Sequence, residues 1–360
     1  MSDSLSPKYL NLSLYIYAAL ILGLSGCSPE GTYDELPEVS VLSDYETIIS
    51  FEDGSLAKPS MLRVGNDDNL FVYDSGQEQV VEITTDGDVI NEIGQSGSGP
   101  GEYQSVDDII ETGEYINIVD DNQYLIHRYF KDGEYVSSMD YGEIGFHRKN
   151  VPAVLDEDVL LVPNESVDHA LFQLFEWRGN TIKNLGNIPE GRSDELDYTE
   201  YRKEISDQTV PSFFKTHSFA VNDESNPGEF FLVYEAIPKV AKYNIKGELI
   251  WEAESVHTPE IDTAATAYYD LMDEVLQQTN AIKSLEKYVD GVGSNGSIFL
   301  YVNSSRLHSH WIHEMNGSGD LINRYQIESE VDLLPSMDID FENSQIVVIT
   351  EEAEIRAYEF

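Results

Sequence analysis

Apolar and β-branched residues gather in six short strings along the chain, separated by stretches rich in polar residues and glycine. The strings are LFVYD at 70–74, INIVD at 116–120, VLLVP at 159–163, FFLVY at 230–234, IFLYV at 298–302 and IVVIT at 346–350. Short runs of this kind, bounded by turn residues, predict strands that are buried on both faces. The strings start 46, 43, 71, 68 and 48 residues apart. A unit of about 45 residues therefore repeats six times, twice with an insertion.

A glycine turn follows each of the first five strings. These turns are DG at 86–87, DG at 132–133, RG at 178–179, Gly247 and GSG at 317–319. Glycine supplies the positive φ that a tight hairpin requires, so each turn predicts a junction between a third and a fourth strand. One unit thus reads as a four-stranded antiparallel blade, and the chain predicts an all-β fold, a six-bladed β-propeller.

The ends of the chain predict how the ring closes. After the sixth string only EIRAYEF remains, so the sixth blade lacks its outermost strand. The segment TIISF at 47–51 precedes the first full unit, and pairing it with residues 354–360 would complete that blade. Closure of this kind removes exposed sheet edges.

Two insertions account for the long intervals between strings, at about 190–216 and 257–288. The second has apolar residues at helical spacing, which predicts a helix with one apolar face. Because strand direction alternates within a blade, both insertions fall in connections from an outer strand to the next inner strand. We expect two partly helical insertions on one face of the propeller.

The N-terminus carries the features of an export signal. Residues 1–26 contain Lys8 and then an apolar run from Tyr9 to Leu24, which is short for a membrane span and typical of a signal peptide. The sequence LSGC at 24–27 resembles the lipobox of bacterial lipoproteins, which implies that Cys27, the only cysteine in the chain, carries the lipid. Residues 27–44 are predicted to form an acidic tether, followed by a propeller domain over 45–360. By the same resemblance, Ser28 implies sorting to the outer membrane of the cell envelope.

Charge restricts the partners. The chain has 67 acidic and 21 basic residues and a formal charge of −46. Nucleic acid and anionic lipid are therefore poor partners. Two explanations stay open: an acidic surface adapted to high salt, or a surface that collects cations.

One glycine-rich segment carries a family resemblance. The sequence EIGQSGSGPGEYQSVDDI at 92–109 resembles the outer-to-inner junction of NHL-type six-bladed propeller lipoproteins of Bacteroidetes-like bacteria. Ile93, Gly94, Gly97, Gly99, Pro100, Gly101 and Glu102 match that junction, with Tyr103 at its aromatic position. The segment lacks the lysine and the following helix of a phosphate-binding loop.

The candidate site residues fall into three groups. A ligand-binding face is predicted from residues of the glycine-rich segment and the insertions: Glu102, Tyr103, Tyr198, Tyr201, Arg202, Tyr268 and Tyr269. Calcium ligands are a weaker hypothesis for acids of the predicted inner strands: Asp107, Asp108, Asp338 and Asp340. The histidines at 308, 310 and 313 are interpreted as surface residues of a third strand.

Three functional classes remain. We expect a non-enzymatic binding or scaffold lipoprotein without a cofactor, anchored to the membrane by lipid, whose partner is a polar small molecule, a glycan, a peptide or an envelope protein. The main alternative is a calcium-dependent hydrolase or lactonase that uses the channel acids. The third is a subunit of a larger envelope complex.

Overall fold

The computed structural model describes residues 36–50, 54–66, 69–142, 152–163, 170–193, 195–254, 257–303 and 309–360. The predicted signal peptide, Cys27 and the first part of the predicted tether lie outside these residues. Within them, six β-sheets form the blades of a six-bladed propeller, as the repeat predicted. No helix in the described part of the chain is long and apolar enough to cross a membrane.

The strands follow one another in blade order. Two N-terminal strands are β1 (Val39–Leu42) and β2 (Tyr45–Ile49). Blade 1 contains β3 (Pro59–Val64), β4 (Leu70–Asp74), β5 (Gln79–Ile83) and β6 (Val89–Ile93). A small two-stranded sheet, β7 (Gln95–Ser96) and β8 (Glu102–Tyr103), closes the glycine-rich loop. Blade 2 contains β9 (Asp108–Thr112), β10 (Tyr115–Asp120), β11 (Leu125–Phe130) and β12 (Tyr135–Asp140).

The remaining blades have the same antiparallel order. Blade 3 contains β13 (Ala153–Asp156), β14 (Val159–Pro163), β15 (Phe172–Glu176) and β16 (Thr181–Leu185). Blade 4 contains β17 (Ser218–Asn222), β18 (Glu229–Tyr234), β19 (Lys239–Asn244) and β20 (Leu249–Glu254). Blade 5 contains β21 (Tyr288–Ser294), β22 (Ser297–Val302), β23 (His310–Met315) and β24 (Leu321–Ile327). Blade 6 contains β25 (Leu333–Asp340), β26 (Gln345–Thr350) and β27 (Ile355–Glu359).

Each of the six apolar strings lies in the second strand of its blade, where the sequence pattern placed it. These strands are buried almost throughout because each lies between two strands of its own sheet and is covered by both neighbouring blades. A strand covered on both faces needs a continuous apolar run rather than an alternating one.

The N-terminal strand closes the ring, as predicted. Strand β2 pairs antiparallel with β27, with Thr47 opposite Arg356 and Ile49 opposite Ile355. Ile49 is only 2% exposed and packs into the core between blades 6 and 1. The last blade thereby gains its fourth strand.

The predicted tether is shorter than the sequence indicated. Strand β1 pairs in parallel with β24, with Val39 opposite Arg324, and becomes a fifth strand of blade 5. The interval up to residue 44 is therefore not all linker, since its C-terminal part lies on the sheet. Polar composition suggested a tether, but the segment forms an edge strand in which only Leu42 is buried.

Both insertions contain a helix. Helix α1 (Tyr198–Ser206) begins at Asp197, whose carboxylate accepts hydrogen bonds from two N–H groups of the first turn. Helix α2 (Pro259–Gln278) begins at Thr258, followed by proline at the first helical position. Backbone hydrogen bonds from Lys287 to Glu235 and from Glu235 to His217 join the ends of both insertions to the turn between β18 and β19. We call the face of the ring that carries these connections the crossover face.

Candidate functional site

Charged side chains meet in the central channel, where the innermost strands of the blades line a cavity. The position of each charged side chain along the channel axis follows from the residue that lies opposite it in the second strand of its blade. Asp108 and Asp290 lie opposite the fourth residue of their blade's apolar string, Val119 and Tyr301. Arg63 and Asp338 lie opposite the second residue, Phe71 and Val347. Blades 1, 2, 5 and 6 thus place one cation and three carboxylates at two adjacent levels of the channel.

Arg63 joins three of these blades. Its Nη2 lies 2.9 Å from Asp108 Oδ1, and its Nη1 lies 3.1 Å from Asp290 Oδ2. Asp338 accepts a hydrogen bond of 2.9 Å from the Val64 N–H, and Asp290 accepts one of 3.0 Å from the Met337 N–H. These contacts therefore link the inner strands of blades 1, 2, 5 and 6.

The channel perturbs the charges that it holds. Burial disfavours the charged guanidinium, but Asp290, Asp108 and Asp338 outweigh that effect and raise the pKa of Arg63. Burial raises the pKa of Asp338 to about 7, even though Arg63 lowers it. The pKa of Asp108 is also raised, again by burial and against the effect of Arg63. The three acids thus share one cation.

Glu224 lies beside this cluster, just beyond the end of β17. Although part of the residue is exposed, burial and then the negative charge of Asp338 raise the pKa of Glu224 to about 8. The other acids that line the cavity are bound: Glu111, for example, contacts Lys131 and accepts from the Asn66 N–H. The Glu224 side chain has no hydrogen bond or ion pair to any described residue.

The opposite half of the cavity is apolar. Strand β17 contributes Phe219, Ala220 and Val221, and the start of blade 3 contributes Pro152 and Ala153. The cavity encloses about 190 Å³, and an apolar protein cavity of about 150 Å³ holds benzene. The channel therefore has room for a small organic molecule between a charged wall and an apolar wall.

The weakly predicted calcium ligands do not come together. Asp107 accepts hydrogen bonds of 3.0 Å from the Ser105 hydroxyl and from the Asp121 N–H, near the crossover face. Asp340 accepts from the backbone and side chain of Asn343, at the other end of an inner strand. In the part of the chain that the structure describes, no three acidic, histidine or cysteine side chains are grouped closely enough to hold a metal ion.

Two residues of the predicted ligand face hold the glycine-rich loop. The Glu102 carboxylate accepts from the Gly99 N–H at 2.7 Å and from the Ser98 N–H at 3.0 Å. Tyr103 is 1% exposed, and its hydroxyl accepts from the Val80 N–H at 2.8 Å and donates to Ile93 O at 3.0 Å. Both side chains therefore have structural partners between blades 1 and 2.

The other five residues of that face belong to the helix pair. The hydroxyls of Tyr201 and Tyr268 lie 3.1 Å apart, and Arg202 donates to Leu276 O at the end of α2. Tyr201 and Tyr269 lie in a core shared by α1 and α2, while Tyr198 is 45% exposed. The ligand face stays a prediction, and most of the aromatic surface proposed for it packs between the helices.

A buried ionic cluster that the sequence did not suggest anchors α2 to blade 5. Glu260 accepts from Arg324 Nε at 2.8 Å and Nη2 at 2.6 Å, and it lies 2.7 Å from His313 Nε2. The interpretation of His310 and His313 as surface residues is wrong, since they are 3% and 1% exposed. His310 instead contacts the Tyr301 hydroxyl at 2.9 Å. The histidine at position 308 lies outside the described residues.

The sequence contained a signal for the channel that composition obscured. Acidic residues are so common that Asp290 and Glu224 did not stand out, whereas basic residues are rare. Arg63 is a lone cation in the apolar inner strand SMLRV. Arg63, Asp108 and Asp290 each lie seven or eight positions before the apolar string of their blade. That spacing would have predicted that all three line the central channel.

The fold and the channel define a class, the six-bladed β-propellers. A family model described as a 6-bladed beta-propeller (DUF5128) matches residues 50–142, which include blades 1 and 2. No curated protein matches the chain.

Solved structures match most of this chain at low sequence identity. A protein of Bacteroides fragilis described as exported has a TM-score of 0.55 and 15% identity, over 89% of this chain and 99% of that one. A member of the duf4221 family from Bacteroides vulgatus has a TM-score of 0.47 and 10% identity, over 90% and 95%. A streptogramin B lyase has a TM-score of 0.48 and 10% identity, over 88% and 97%. The likeness to the Bacteroides fragilis protein shows the fold alone, and none of the three carries an activity over to this chain.

Proposed function

We propose that this chain is an exported binding protein, held at the cell envelope by lipid on Cys27, that takes a small molecule into its central channel. The observation that carries the proposal is the cavity of about 190 Å³ with one charged and one apolar wall. Binding sites for small molecules are concave, mostly apolar, and contain a few polar groups that fix orientation. The NHL-type lipoprotein resemblance of residues 92–109 supports the envelope location.

Three functional classes compete here, and the channel favours binding over hydrolysis. A calcium-dependent hydrolase or lactonase needs carboxylates that converge on one ion at about 2.3–2.6 Å. Arg63 instead lies between Asp108 and Asp290, and the arrangement of acids offers a charged surface rather than a coordination sphere.

A blocking variant tests the proposed site. Ala220→Trp would fill the channel from β17, whereas Thr266→Trp adds the same ring to the exposed surface of α2. Ligand-observed NMR against a library of small charged and neutral fragments should find binders for the native protein and for Thr266→Trp, and these binders should be lost in Ala220→Trp. Fragments that bind Ala220→Trp as well as the native protein would contradict the channel as the site.

The lipid anchor has its own test. Cells that express the protein should incorporate labelled palmitate into it, and Cys27→Ala should abolish that label and release the protein from the membrane fraction. Membrane retention of the Cys27→Ala protein would contradict the anchor and leave the channel proposal unaffected.

A second candidate function, a subunit of an envelope complex, is favoured by one observation. The third residue after the hairpin glycine is an exposed aliphatic residue in five blades, between 37% and 52% exposed: Ile90, Val136, Ile182, Ile250 and Ile322. Pull-down from native membranes with the protein and with a variant carrying serine at these five positions tests it. A partner captured equally by the native protein and by the serine variant would contradict a binding role for these five outer-strand residues.

A further inference from the structure

The charges of the cavity are unbalanced. Among the residues that the structure describes, the lining includes six acidic residues and one basic residue: Asp107, Asp108, Glu111, Glu224, Asp290, Asp338 and Arg63. Arg63 is already engaged by two carboxylates, so it has little capacity left for an anionic ligand. A ligand that enters this cavity therefore meets a negative wall.

The Glu224 carboxylate is the second observation. Each of the other acidic residues has a hydrogen bond or an ion pair within the protein, whereas Glu224 has none to a described residue. Glu224 lies two residues beyond the end of β17, the strand that supplies the apolar wall with Phe219 and Val221. One blade thus provides both an available carboxylate and apolar surface next to it.

Resting on the proposed function, we infer that the ligand is an organic cation, an ammonium group on an apolar body, with the ammonium at Glu224 and the body against Phe219 and Val221. The acids are too dispersed to coordinate a metal ion among the described residues, but dispersed negative charge suits a large, weakly hydrated cation. Aromatic rings also attract such cations, and Phe71 and Phe219 both line the cavity.

Binding of the cation is linked to release of protons. The raised pKa values of Glu224, about 8, and Asp338, about 7, mean that these groups hold protons near neutral pH. A bound cation favours their ionised forms and displaces those protons. By reciprocity, affinity rises with pH until both groups are ionised in the free protein. We expect a gain of about tenfold or more between pH 6 and pH 9.

The experiment is isothermal titration of the protein with three probes of similar size: benzyltrimethylammonium, benzyl alcohol and benzoate. The first keeps its charge at every pH, so any pH dependence of its binding reports on the protein. Titrations run at pH 6 and pH 9, in buffers of different ionisation enthalpy that reveal proton release. Glu224→Gln should weaken binding of benzyltrimethylammonium about tenfold at pH 9, and Glu274→Gln, an exposed acid on α2, should not change it.

The outcomes separate the two proposals. The organic-cation proposal is supported if benzyltrimethylammonium binds selectively, if its binding releases protons, and if Glu224→Gln weakens that binding. If benzyl alcohol or benzoate binds as tightly as the ammonium probe or more tightly, and Ala220→Trp abolishes that binding, the ligand is not an organic cation. The proposal that the channel binds a small molecule would then still stand. Displacement of the ammonium probe by micromolar calcium would assign the site to a metal and also overturn the organic-cation proposal. No binding by any of the three probes would overturn both.

Discussion

Removal of Arg63 is the sharpest perturbation of the channel. In Arg63→Met, the Asp108 and Asp290 carboxylates lose the guanidinium that lies 2.9 and 3.1 Å away. Removing one partner of a buried ion pair costs about 3–5 kcal/mol. Because the Arg63 side chain is 22% exposed, we expect the lower end, about 3 kcal/mol in the free energy of unfolding at pH 8. A domain of typical stability, about 5–15 kcal/mol, would still fold.

The loss should depend on pH with a definite sign. Burial already raises the pKa of Asp108 and Asp338 in the fold, and without Arg63 only backbone hydrogen bonds still lower these pKa values. An acid whose pKa is raised by folding destabilises the fold as pH rises through that pKa. The cost of Arg63→Met should therefore be smaller at pH 5, which lies below the raised pKa of Asp338, than at pH 8.

Urea unfolding followed by circular dichroism at both pH values checks this reasoning. Arg178→Met, which removes an exposed arginine from a hairpin of blade 3, is the matched control and should change stability by less than about 0.5 kcal/mol. Adding Asp290→Asn to Arg63→Met should recover part of the loss, since it removes one uncompensated charge. An equal loss at pH 5 and pH 8, or no loss at all, would refute the role given to Arg63.

Three further predictions concern the frame around the channel. Gly94→Ala should cost about 1–3 kcal/mol of unfolding free energy, because φ is +64° and a Cβ would lie 2.6 Å from the Tyr129 hydroxyl; a melting temperature equal to the native one would contradict this. Ile49→Ala should cost about 2–4 kcal/mol and speed hydrogen exchange in the last strand, whereas unchanged protection there would argue against closure by β2. Glu260→Gln should destabilise at pH 7. Burial opposes the Glu260 charge, but hydrogen bonds led by that with His313 lower its pKa from 4.5 to about 2. The stability from Glu260 is thus lost as pH falls through that interval, and a constant difference from the native protein down to pH 2.5 would contradict it.

The repeated architecture was predictable because the same physical demand recurs in every blade. A second strand covered on both sides must be apolar along its length, so six strings marked six blades. Ring closure followed from counting strands at the two ends. Strand β1 escaped prediction because only Leu42 of its four residues is buried, and an edge strand leaves little trace in an acidic segment.

The site was harder to predict because pairing register, not composition, brings its residues together. Arg63 and Asp290 are 227 positions apart in the chain, and each is unremarkable in its own strand. Tyr103, Tyr201 and Tyr268 looked like ligand contacts because tyrosine serves both roles, but their hydroxyls have protein partners. Burial decided between the two roles, and burial was not visible from spacing alone.

The location of a bound cation tests the central claim most directly. Crystals of the protein soaked with benzyltrimethylammonium should show the ligand in the central channel, with its ammonium group beside Glu224 and its ring against Phe219 and Val221. Ligand density on the α1–α2 pair or on the outer rim, with the channel free of ligand, would contradict the account.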